Sequence, residues 1–208
     1  MLKREILYVA VLLLGLTPGC KKSNSVNTTA DDQFPNKIGD TWHYLVKDTT
    51  IHGGQNSSST QYNVDVVIVN TVKLSNGFTA AIWQFTYPDH IDSNYVYQSG
   101  DTIKILDHTG QYLISQYIFP FTSGSSWQYV QGIGYVTVTG PGAITVSNNS
   151  FTNAWHIYGS AGLPDAMIAI DEFFEDHVGF VKKYINTSGE LILIRHNLDW
   201  SLVSYELK

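Results

Sequence analysis

Residues 34–44 read FPNKIGDTWHY and residues 119–129 read FPFTSGSSWQY. Five positions are identical, Thr41 answers to Ser126, and the offset is a constant 85 residues. A match of this kind, with Pro and Trp at fixed spacing, marks an internal repeat. Pro35 and Pro120 remove a backbone donor, which suits the approach to a strand. Gly39 and Gly124 allow a tight turn with positive φ. Trp42 and Tyr44 lie two apart, as do Trp127 and Tyr129, so each pair of rings shares one face of a strand. Two readings follow. The four rings are candidate ligand-binding residues, a platform for a sugar or another flat molecule. Alternatively they plug the end of a barrel or sandwich. Presence in both halves favours the packed corner.

Beyond the repeat, apolar and polar residues alternate rather than following a helical period. Val64-Asp65-Val66, residues 135–139, 191–196 and 201–207 all show it, as strands with one buried face do. Asn76-Gly77, Ser99-Gly100-Asp101, Thr109-Gly110, Pro141-Gly142 and Ser188-Gly189 read as turns. Residues 164–176 fit a helix or a strand, with the strand favoured. A fainter echo follows each repeat, with Ser75–Thr79 leading to Trp83 and Ser147–Thr152 leading to Trp155. The expectation is an all-β fold, an antiparallel curved sheet, barrel or sandwich built from two related halves. One β-rich domain then spans residues 34–208, with pseudo-repeats at 34–118 and 119–208.

The N-terminus carries an address. Lys3 and Arg4 precede an apolar run from Ile6 to Leu16, and Thr17-Pro18-Gly19 lead to Cys20. This is the order of a secretory signal. The run is about half the ~20 residues a membrane-spanning helix needs. Cys20 is the only cysteine in the chain, and the stretch resembles the lipobox of bacterial lipoproteins, with Thr17 where Leu is usual. That resemblance implies cleavage after Gly19, a signal peptide at 1–19 and lipidation of Cys20. Stable anchoring needs two or more acyl chains, each buried CH₂ contributing ~0.8 kcal/mol. Residues 20–33 are almost wholly polar and read as a flexible tether. The processed chain would hold 10 basic and 17 acidic residues, a balance that argues against nucleic acid. With no second cysteine to form a disulfide, its core must hold it together.

Residues 144–151 resemble a V-x-V-P-A-G-x-F segment, and DEFFEDHVGFVKK at 171–183 resembles a Y-Y-x-x-G-V-G-L-V-K segment. Together with F-P-x-x-x-G-x-x-W-x-Y, these are similar to a group of uncharacterised bacterial lipoproteins common in Bacteroidetes. The resemblance covers most of residues 34–208. It implies a β-rich domain in the cell envelope, anchored at the outer membrane, with either leaflet open, and it transfers no catalytic residue.

No chemical constellation stands out. The seven histidines show no metal-ligand spacing, and no nucleophile elbow or P-loop is present. No metal site and no cofactor are expected. Asp171, Glu172, Glu175, Asp176 and His177 form the densest acidic cluster. As a strand it puts Asp171, Phe173, Glu175 and His177 on one face and Glu172, Phe174 and Asp176 on the other. A carboxylate pair could serve a glycosidase, but a solvated strand edge that discourages pairing is the plainer reading. Asp89–Asn94 reads as a polar loop. Asp48-Thr49 and Asp101-Thr102 resemble O-glycosylation sites of exported Bacteroidetes proteins. The sequence therefore points to a lipid-anchored envelope protein, a non-catalytic binding or scaffolding module for a glycan, lipid or envelope protein. A carrier of an apolar ligand on a curved sheet is the first alternative, and a glycan or peptidoglycan hydrolase the second.

Overall fold

The computed structural model describes residues 33–52, 56–130, 134–163, 166–189 and 194–208. Cys20, the signal at 1–19 and the tether at 20–32 lie outside the described residues. The chain forms β1 (Thr41–His52), β2 (Asn56–Lys73), β3 (Thr79–Thr86), β4 (Ile91–Ser99), β5 (Thr102–Leu106) and β6 (Leu113–Ile118). It continues through β7 (Ser126–Val130), β8 (Gly134–Val146), β9 (Asn149–Leu163), β10 (Ala166–Glu175), β11 (Gly179–Gly189) and β12 (Ile194–Glu206).

All twelve strands join one antiparallel sheet in the order β6-β5-β4-β3-β2-β1-β12-β11-β10-β9-β8-β7. Each strand thus pairs with its sequence neighbours, except at two places. β12 returns to pair with β1, from Thr41↔Glu206 to His52↔Ile194. β6 and β7 meet without a backbone ladder, and side chains bridge them. Trp127 Nε1 donates to the Gln116 carbonyl at 2.7 Å and Gln116 Nε2 donates to the Gln128 carbonyl at 2.6 Å. The result is a nearly closed barrel with one seam. Long strands wrap this way only with local kinks, and bulges at His43/Tyr44, Ile68/Asn70 and Phe173/Phe174 supply them.

The all-β reading holds, and within the 164–176 stretch Ala166–Glu175 form the strand β10, with 164 and 165 outside the described residues. Pro141-Gly142 differs from the turn expected of it. It lies inside β8, where the register against β9 shifts on both sides of Gly142. A proline lacks a ladder donor and Gly140 takes φ 112°, so the pair makes a bulge in a continuing strand.

The two repeat copies open β1 and β7 with the same hydrogen bonds. Gly39 N donates to the Ile68 carbonyl and Gly124 N to the Val138 carbonyl, both at 2.8 Å. Asp40 N closes on Lys37 as Ser125 N closes on Thr122. Gly39 and Gly124 take φ of 95° and 85°. Both corners point their phenylalanine inward, and the Phe34 and Phe119 rings meet edge to face at 5.9 Å. Phe174 packs against both, at 5.8 and 5.4 Å. Trp83 stacks on Trp42 at 4.9 Å and 18°. The echo tryptophans occupy the third strand of each six-strand run, Trp83 on β3 and Trp155 on β9.

Candidate functional site

The acidic cluster differs most from its sequence reading. β10 is no edge, because it pairs with β9 on one side and β11 on the other. Alternation then forces Glu172 and Phe174 inward and Asp171 and Phe173 outward. Asp171 meets His156 at 2.8 Å on the outer surface, with the His156 ring stacked on Phe173. Glu175 accepts from the Asn153 amide and Asp176 from Gln33 Nε2. Burial raises the pKa of both carboxyls. The four carboxylates face different partners and do not converge.

Glu172 is fully buried, and this overturns the solvated-edge reading. It is satisfied from three directions. Lys183, its register partner on β11, places Nζ 2.7 Å from Oε1. Tyr129 on β7 donates to Oε1 at 2.9 Å, and Tyr117 on β6 donates to Oε2 at 2.9 Å. The two tyrosine oxygens are themselves 2.9 Å apart. Two hydroxyl protons serve three contacts, so that last contact carries no hydrogen bond while both donate to Glu172. Strands β6 and β7, which share no ladder, are thereby tied to β10 and β11 through one carboxylate. Burial, and then the Glu172 charge, pushes the Tyr129 hydroxyl up to about 12 and holds Tyr117 well above its ordinary value. Burial alone would lower Lys183, but Glu172 and Tyr129 outweigh it and hold the ammonium above its ordinary value.

Above the pair lies an apolar cavity of about 280 Å³. An eight-strand barrel has an interior that side chains just fill. Twelve strands enclose more, and the aromatic core takes up only part of the surplus. Trp83, Phe85, Val96, Ile105, Leu198 and Trp200 wall the cavity, with Tyr87 and Asp92 at its β3–β4 side. Lys183 and Ser115 give it a polar end. The Lys183 side chain retains 26% of its surface. Ser115 is 1% exposed, and its Oγ has no hydrogen-bond partner among the described residues.

The four rings singled out from the repeat are buried: Trp42 1%, Tyr44 7%, Trp127 5% and Tyr129 5% exposed. None offers a ring face to solvent, and Tyr44 alone lines the cavity. Trp42 Nε1 donates to the Val178 carbonyl and Tyr44 OH to the Phe180 carbonyl. Sequence reasoning missed Lys183. Hairpin arithmetic came within one residue: a turn at Asp176-His177-Val178 alone sets 172 opposite 182, and the bulge at Phe173/Phe174 shifts the partner to 183. A second pocket of about 440 Å³ lies at the corner end, lined by Lys37, Asp40, His177 and Lys208. Asp40 is already engaged there by the amides of Lys37 and Lys208, each at 2.9 Å. Among the described residues no three His, Asp or Glu side chains converge as metal ligands.

No family model and no curated protein matches this chain. Among solved structures it is similar to a candidate exported protein with a YmcC-like fold from Bacteroides fragilis. The TM-score is 0.43 at 8% identity, over 84% of this chain and 98% of that one. It is also similar to a DUF1329 family protein from Desulfovibrio piger, with TM-score 0.27 at 8% identity, over 83% and 87% of the two chains.

Proposed function

We propose that this chain is a lipid-anchored protein of the cell envelope that carries a small amphipathic ligand inside its barrel. The cavity carries the reading. Apolar side chains wall about 280 Å³ of space, the low end of the range for small-molecule sites, and so a single-chain molecule is the fitting guest. Export and anchoring rest on the signal-like N-terminus and Cys20. Mass spectrometry of the mature N-terminus is expected to show a lipid on Cys20, and an unmodified thiol there overturns the anchor.

Carriage is tested by titrating straight-chain carboxylates of increasing length into the mature chain bearing Cys20→Ser, so that no acyl chain of its own competes. Each buried methylene contributes ~0.8 kcal/mol, so affinity should rise about fourfold per carbon and level off once the cavity is full. Ile105→Trp fills the cavity and should remove binding while a cooperative melt is retained. No saturable binding by any chain length, or full binding by the filled variant, defeats the proposal.

A further inference from the structure

The polar end of the cavity is built from donors. The Lys183 ammonium has three N–H groups, and Glu172 Oε1 engages one at 2.7 Å. A quarter of the Lys183 side-chain surface remains open, and Lys183 lines the cavity. Ser115, two residues from Tyr117 on the same inward face of β6, adds a buried hydroxyl without a partner among the described residues. Glu172, the acceptor at this end, already faces Lys183, Tyr117 and Tyr129. Asp92 and Asn94 stand among the cavity's other lining residues, on β4.

We infer that the ligand binds head inward and that its head is a hydrogen-bond-accepting oxygen group, a carboxylate or an ester carbonyl, held by Lys183 Nζ and Ser115 Oγ. This rests on the carrier reading and specifies its ligand. A purely hydrocarbon end would strip water from these donors and return nothing. An ammonium head would bring a second cation against Lys183, a like-charge contact that an oxygen head avoids. Glu172 already balances the Lys183 charge, so a neutral carbonyl satisfies the site as a carboxylate does.

The test compares decanoate, methyl decanoate and decylamine on the mature Cys20→Ser chain. One or both oxygen-headed compounds should bind at least tenfold more tightly than the amine. If only the acid binds, the source is a free acid; if only the ester binds, it is an esterified lipid; both outcomes support the inference. Equal binding of all three overturns the head assignment and leaves carriage intact, whereas no binding of any overturns both. Lys183→Met leaves the Glu172 carboxylate without its cation, so decylamine should now bind best. If that variant fails to fold, the neutral pair Lys183→Met with Glu172→Gln replaces it. There the preference should fall to within about threefold while dependence on chain length persists. An unchanged preference in the neutral pair also overturns the inference. Ser115→Ala should weaken the oxygen-headed ligands about fivefold and leave the amine unchanged.

Discussion

A carboxylate with no exposed surface, such as Glu172, is tolerated only while its partners stay in place. Removing an ion from water costs several kcal/mol, and the pair recovers this through close geometry and additional hydrogen bonds. Lys183→Met should therefore destabilise the fold by about 3–5 kcal/mol, and adding Glu172→Gln should return much of it. Urea denaturation of the four proteins of this cycle checks the coupling. Alkali acts on the same network. In Tyr129 the folded pKa is raised from 10.0 to about 12. Between these values the unfolded chain has lost a proton that the folded one keeps, so stability is full below pH 10 and declines from pH 10 to 12. Tyr129 alone accounts for about 3 kcal/mol of that loss, and Tyr117 and Lys183 act in the same direction. A urea series across this range, with tyrosinate absorbance as a second probe, measures it. A melt indifferent to pH there contradicts the placement. Sequence patterning alone hid this centre, because five acidic and basic residues among the seven of 171–177 resemble a wetted surface. Only the pairing of β10 on both sides turns Glu172 inward.

Strands and corners were far more legible. Alternation at Val64–Val66 and at 135–139 reports a half-buried strand wherever it lies, and the repeat located both corners by residue number. Pro141-Gly142 misled because a turn and a bulge use the same residues. The matching corners make a matched prediction. A Cβ at Gly124 would meet nothing within 4 Å, and at Gly39 only the flexible Lys208 side chain. The penalty at both sites is then mostly the positive φ, and Gly39→Ala and Gly124→Ala should each cost about 1 kcal/mol, read as similar drops in melting temperature. The seam is the other element with a consequence. β6 and β7 hold together through the Trp127 and Gln116 side chains, which donate to the Gln116 and Gln128 carbonyls, whereas β1 and β12 share a full ladder. Amides along β6 and β7 should exchange with deuterium faster than those of β1 and β12, and Trp127→Phe should widen that difference.

At the scale of the molecule, closure explains why there is a cavity at all. Twelve strands in near-circular order need a wide interior. Two copies of one corner place Phe34, Phe119 and their tryptophans at one end, which leaves the space over Lys183 unfilled. Barrel and sandwich could not be separated from sequence, because alternation reports which face is buried and not how far a sheet curls. The pairing of β1 with β12 decides it, and that contact joins Trp42 to Tyr205, 163 positions further along the chain. The same contact has a further meaning. The described chain starts and finishes side by side, with the Lys208 amide on Asp40 Oδ1, while the ladder is interrupted half a circuit away, between β6 and β7. Reading order and sheet order are thus two cuts of a single ring. A circular permutant that begins at Ser123, runs through Lys208 and a short glycine–serine linker to Gln33, and ends at Thr122 would encode β7 to β12 and then β1 to β6 as one unbroken ribbon.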